Sequence, residues 1–113
     1  MAGYLTTHVL DTARGMPGAG IAITLFALDG TRREIARAVT NADGRTDAPI
    51  LPAGAFEPGQ YELVFHCGPY LASQEAVPFL EDVPVRFGVS DPDAHYHVPL
   101  LLSPFGYTTY RGS

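Results

Sequence analysis

The segment His95–Ser113 reads HYHVPLLLSPFGYTTYRGS, and its alternation points to the class of fold. As a strand from His95 to Leu102 it sends Tyr96, Val98, Leu100 and Leu102 to one face and His95, His97, Pro99 and Leu101 to the other, because successive strand side chains point to opposite sides. One face is apolar and the other carries two imidazoles. Such a strand fits a sheet whose back lies on a core and whose front lines a cleft or an interface. Ser103-Pro104 breaks the run, and a tyrosine-rich strand follows toward Tyr110-Arg111-Gly112-Ser113.

The same period of two recurs upstream. Tyr4–Leu10 reads as a strand with Leu5, Thr7 and Val9 on one face and Thr6, His8 and Leu10 on the other. The turn-rich stretch Asp11–Gly18 leads to a strand over Gly20–Leu28, the Asp29-Gly30 hairpin signal, and a returning strand over Arg33–Thr40 with a solvated polar side. Asn41-Ala42-Asp43-Gly44 is a further turn, which leaves Arg45 in a loop. Gln60–Cys67 alternates most clearly, with Tyr61, Leu63, Phe65 and Cys67 expected inward and Glu62, Val64 and His66 outward. Residues Tyr70–Val77 favour a short helix ending before Pro78. Val83–Val89 reads as one more strand, with Pro84 tolerated at a strand start or a sheet edge. These elements predict an all-β, two-sheet sandwich of seven or eight strands with one short helix, formed as a single domain over residues 1–113.

Composition narrows the function. The seven basic residues are all arginines, so chemistry through a lysine Schiff base is excluded. A net charge of −5 disfavours nucleic acid as a partner. The aliphatic run Leu100–Leu102 is far shorter than the roughly 20 residues that cross a bilayer, so no membrane span is expected. Met1 runs into Tyr4–His8 without a basic and apolar leader, from which a cytoplasmic location is expected. Cys67 is the single cysteine, which rules out an internal disulfide and fits a buried structural thiol at a strand end. His95 and His97 share a face as a metal pair would, but no third ligand has a fixed spacing to them, so no metal and no cofactor are expected.

Three short motifs make the chain resemble the 5-hydroxyisourate hydrolases, the enzymatic branch of the transthyretin-like family. They are Tyr110-Arg111-Gly112-Ser113, Thr7-His8-Val9-Leu10-Asp11 and Asp43-Gly44-Arg45. The ending YRGS is the most specific of them, and the resemblance extends over the whole chain. It implies a transthyretin-like sandwich assembled as a homotetramer, with sites in the channel where dimers meet. It also implies hydrolysis of 5-hydroxyisourate to 2-oxo-4-hydroxy-4-carboxy-5-ureidoimidazoline in urate degradation. A carrier of small apolar molecules in a similar pocket is the alternative.

Taken alone, His8 would be an ordinary strand histidine and Arg45 a solvated loop arginine. With the resemblance, His8, His97 and Arg45 are the candidate catalytic residues, and His8, Arg45, Tyr110 and Ser113 the candidate substrate contacts. The histidines move protons, the guanidinium offers planar paired donors to carbonyl oxygens, and strand parity puts Tyr110 rather than Tyr107 on the face of His97. Ser113 is expected to bring a hydroxyl or, as the last residue, a carboxylate. Division of acid and base work between the two histidines stays open, and His95 is placed at the rim. Nothing resembles the turn that presents a nucleophilic serine.

Overall fold

A computed structural model describes residues 3–113. Among them, eight strands and one helix follow in the order β1 (Tyr4–Asp11), β2 (Met16–Pro17), β3 (Ala22–Leu28), β4 (Arg32–Val39), β5 (Gly59–His66), α1 (Cys67–Ser73), β6 (Asp82–Val89), β7 (His95–Ser103) and β8 (Gly106–Thr109). The strands form two four-stranded sheets, β2-β1-β7-β8 and β4-β3-β5-β6. All the pairings are antiparallel except β1 with β7, which is parallel and sets Thr6 beside His97 and His8 beside Pro99.

Alternation puts the core between the sheets. Leu5, Val9, Tyr96, Val98, Leu100 and Leu102 face inward from one sheet, and Ile23, Leu25, Leu63, Phe65, Val83 and Val85 from the other, all buried. Burying each such side chain contributes on the order of 1.5–3 kcal/mol, so a strand slipped by one residue would forfeit its whole inward set. The opposite face of β1 and β7, carrying Thr6, His8, His95 and His97, is thereby held outward. Pro84 lies on β6, an edge strand, where its missing N–H breaks no ladder. No helix among the described residues is long and apolar enough to cross a membrane.

The structure corrects three local readings. The stretch read as turn contains β2, whose Met16 and Pro17 pair with Asp11 and Leu10 as a short flap on the edge of β1. The helix covers Cys67–Ser73 rather than Tyr70–Val77. Its start is fixed by tertiary contacts: Cys67 and Leu71 are buried, and the Cys67 N–H donates to the Glu81 carbonyl at 3.1 Å. Past it, Glu75 adopts φ 59°, which a continuing helix does not allow. On β4, a register shift opposite Leu25/Phe26 lets Ile35, Ala36 and Ala38 all pack against the core, so simple alternation fails there. Glu62 and Val64 lie outside the core cluster, on the outward side that alternation gives them, and are buried all the same, because β5 is an inner strand.

Glu62 is the centre of a small charged cluster. Arg32 Nε and Arg86 Nε donate to its two carboxylate oxygens, each at 2.8 Å. Hydrogen bonding to Arg86, with that to Arg32, outweighs burial and holds the carboxyl below its ordinary 4.5. A carboxylate depressed in the folded state stabilises the protein above the unfolded pKa, and this contribution is lost as pH falls through the folded one. Glu62→Gln is therefore expected to cost about 1–3 kcal/mol at neutral pH. In denaturant titrations from pH 7 to pH 3, the gap to the wild type should narrow below about pH 4.5.

Candidate active site

The outward face of β1 and β7 is the floor of an open cavity of about 370 Å³. Its lining includes Tyr4, Thr6, Arg45, His95, His97 and Ser113. From β1 come Tyr4 and Thr6, and from β7 His95 and His97, while His8 stands next to this cavity on the same strand, bridged to Arg45. The walls come from two segments outside the strands that close onto them by single bridges, Arg45 against His8 and Gly112 against His97. Directly opposed residues put their side chains on the same side, so the first bridge brings the Arg45 guanidinium alongside the His8 imidazole.

Each closure depends on a glycine. The turn preceding Arg45 is tied by Asn41, whose side-chain oxygen accepts from the N–H groups of Asp43 at 2.9 Å and Arg45 at 3.2 Å. Gly44 has φ 74°, its carbonyl accepts from Val9 N–H at 2.8 Å, and a methyl on it would collide with the Val9 carbonyl oxygen. Only glycine meets both demands at low cost. At the other closure, Gly112 N–H donates to the His97 carbonyl at 2.7 Å. A Cβ on Gly112 would sit 2.6 Å from His97 Cδ2, so the missing side chain is the space the ring occupies.

Both candidate catalytic imidazoles are biased toward the neutral form. Burial is the larger cause for His8, followed by the Arg45 charge, with the Asp43 backbone carbonyl and carboxylate opposing, and the net pKa lies below 6.5. For His97 burial again comes first, then Arg45, His95 and His8, and the pKa is again lowered. Arg45 thus belongs to both histidines. Two neutral imidazoles beside a fixed cation can take protons from water while the guanidinium holds oxygen atoms.

His8, His97, Arg45 and Ser113 come together at this face. Tyr110 does not join them within one chain: β8 ends at Thr109, and Tyr110 is 55% exposed, bordering a groove with Phe87, Tyr96 and Val98. Strand parity carried its prediction past the end of the regular strand, and Arg111, whose guanidinium lies 4.2 Å from the centre of the Tyr96 ring, turns the segment there. His95 is at the rim, its ring stacked on Tyr4 at 4.2 Å and 12°. Thr6, which the motifs did not single out, hydrogen-bonds both His95 and His97. Its parity with His8 was readable from the sequence; its neighbours across the strand pair were not.

Elsewhere, His66 lies between Asp82 and Thr24, with Nδ1 at 2.9 Å and Nε2 at 2.9 Å, as a cross-strand tie of β3, β5 and β6 on the far sheet. Cys67 is buried and its thiol is pushed up to about 12, chiefly by burial, so it is an inert core group. Among the described residues, no group of three or more His, Cys, Asp or Glu could hold a metal ion.

Fold and site together define a two-sheet β-sandwich with an acid–base site on the outer face of one sheet. The chain matches the HIUase/Transthyretin family over residues 5–112 and belongs to it. It is 56% identical to 5-hydroxyisourate hydrolase 2 of Rhizobium meliloti, the match covering 99% of this chain and 98% of that one. Its fold superposes on Klebsiella pneumoniae 5-hydroxyisourate hydrolase with a TM-score of 0.85 at 31% identity, covering 98% of this chain and 99% of that one. On the crystal structure of an (S)-allantoin synthase the TM-score is 0.93 at 47% identity, covering 99% of this chain but only 44% of that longer one.

The electrostatic role of Arg45 is open to direct measurement. Removing its charge in Arg45→Ala should raise the pKa of both His8 and His97. Histidine ring resonances followed by NMR across pH 5 to pH 8 report both shifts. Unmoved titrations would show that the guanidinium does not act on the imidazoles.

Proposed function

We propose that this chain hydrolyses 5-hydroxyisourate to 2-oxo-4-hydroxy-4-carboxy-5-ureidoimidazoline, in urate degradation. Two imidazoles with lowered pKa values, both acted on by one guanidinium that lines an open pocket beside His97, carry this reading, and the named activity of the relatives agrees with it. A carrier pocket for an apolar ligand would gain nothing from so many ionisable groups, whereas ring opening of a flat, carbonyl-rich heterocycle needs them.

In this mechanism His8 and His97 activate water and move protons. Water adds to a ring carbonyl, the C–N bond breaks, the nitrogen takes a proton, and the acyl carbon becomes a carboxylic acid. Arg45 orients the substrate oxygens and balances charge that develops on the attacked carbonyl. Ser113 lies close enough to the cavity to contact the ring. The protein works as a single domain and, on this reading, in the cytoplasm.

The working assembly is a homotetramer. Both sheets end on strands with unpaired edges, β6 and β8, which flank one groove, and such edges favour pairing with another copy. The site face, with Leu101 only half-buried, gains its cover from a further copy, and Tyr110 supplies a substrate hydrogen bond across that contact. Light scattering at micromolar concentration should give the mass of four chains, and a monomer mass would remove the shared channel.

Freshly generated 5-hydroxyisourate, followed by ultraviolet absorbance, tests the activity itself, and the rate above spontaneous decay should scale with protein concentration. His8→Ala and His97→Ala should each lower kcat by about two to four orders of magnitude with the fold intact, the usual contribution of a general acid or base. The acid limb of the wild-type profile should lie below pH 6.5, since protonation removes the base. Arg45→Lys keeps the charge and loses the fork, so kcat/KM should drop roughly ten- to hundredfold while Tm barely moves. Full activity in that variant would reduce the role of Arg45 to charge alone.

A further inference from the structure

Thr6 has a place in the site that the proposed roles leave unused. Its Oγ1 lies 2.6 Å from His95 Nε2 and 2.8 Å from His97 Nδ1, so one hydroxyl spans two imidazoles. The parallel register produces this arrangement, because Thr6 sits directly beside His97 while Tyr4 sits beside His95 and stacks on its ring. A hydroxyl has one proton to donate and can accept two. Both facing nitrogens therefore cannot be bare at once, since Thr6 could satisfy only one of them. The protonation of His97 is tied to that of His95 through a single oxygen.

We propose that Thr6 is a proton relay joining His97 to the exposed His95, so that the acid–base unit of this site is His97–Thr6–His95. The proposal rests on the hydrolytic reading of the site. Opening the ring yields a carboxylic acid that ionises at neutral pH, so one proton must leave the pocket in each turnover. The relay gives it a route. His97 Nε2 takes a proton from the attacking water, its Nδ1 proton passes to Thr6 Oγ1, and the hydroxyl proton of Thr6 passes to His95 Nε2. Three O–H or N–H bonds break and three form, with no change of oxidation state. The net positive charge moves from the half-buried ring to the exposed one, which releases a proton to solvent. Among the groups facing His97, His8 on β1 and Arg45 from the loop repel that charge, while Asp47, from the same loop, also lines the cavity. With two cationic or potentially cationic neighbours against it, His97 is a poor resting place for that proton.

Thr6 is on this account a positioning residue, and its removal has a signature that simple loss of packing lacks. Ring-nitrogen NMR titration without substrate should show His95 and His97 titrating as a coupled pair in the wild type and independently in Thr6→Val. With substrate, Thr6→Val should lower kcat about tenfold at a nearly unchanged KM and shift its acid limb, while Thr6→Ser, which keeps the hydroxyl, stays within about twofold of the wild type. His95→Phe breaks the relay at its exposed end while leaving an aromatic ring for Tyr4 to stack on, and it covers the case in which Thr6→Val does not fold. It should lose kcat in the same way and recover part of it in imidazole buffer. Independent titration of the two histidines in the wild type, or wild-type kcat and pH profile in Thr6→Val and His95→Phe, overturns the relay. A wild type that fails to open 5-hydroxyisourate overturns the hydrolytic reading instead, and the substrate-free titration still decides whether Thr6 couples the two rings.

Discussion

The parallel pairing of β1 with β7 is the constraint on which the rest depends. Among the described residues it is the one parallel contact between strands, and it joins segments some ninety residues apart, from Tyr4 beside His95 to Asp11 beside Leu102. Parallel strands cannot be closed by a hairpin, so everything between them must cross over, here as the second sheet with its helix. Apolar burial locks the register: Leu5, Val9, Leu100 and Leu102 are fully buried, and a shift by one residue would turn the whole set to solvent. The same lock places Thr6, His8, His95 and His97 together on the outer face. Core packing and site geometry are two sides of one pair of strands.

The two sheets treat charge in opposite ways. On the far sheet, Glu62 is buried and neutralised by two arginines that donate to it, an arrangement that suits stability. On the site sheet, Arg45 stands by imidazoles rather than a carboxylate, and its charge raises the cost of protonating them. The first pairing satisfies its charges and leaves little to react. The second biases two imidazoles toward the neutral form, as the proposed ring opening asks of its bases.

Closure of the site rests on backbone rather than on side chains. Arg45 and Ser113 lie on irregular segments, yet both are positioned by strand-like hydrogen bonds, one that Gly44 accepts from Val9 of β1 and one that Gly112 donates to His97 of β7. At Gly44 the backbone needs a left-handed conformation, and at Gly112 the His97 ring occupies the place of a side chain. Motif letters that read as spacers in a sequence are steric conditions in the folded protein.

The sequence by itself determined whatever depends on near neighbours along the chain. Alternation named the inward set of β1 and β7, placed His8 and His97 on the outward faces, and marked the hairpin at Gly30 and the turn before Arg45. The motifs contain His8, Arg45 and Ser113, the family resemblance adds His97 from the strand before the last motif, and the structure brings the four to one face. Local signals failed where distant contacts outweighed them: the helix begins at Cys67 because core burial and Glu81 hold it there. Glu62 keeps its outward side and is buried all the same, because strands flank it on both sides. Which strand would lie beside β1, and so which hydroxyl would stand between His95 and His97, only the tertiary structure decided. Period-two patterning specifies the face of a side chain, but the partner across the ladder is chosen by how the whole set of apolar faces closes into one core.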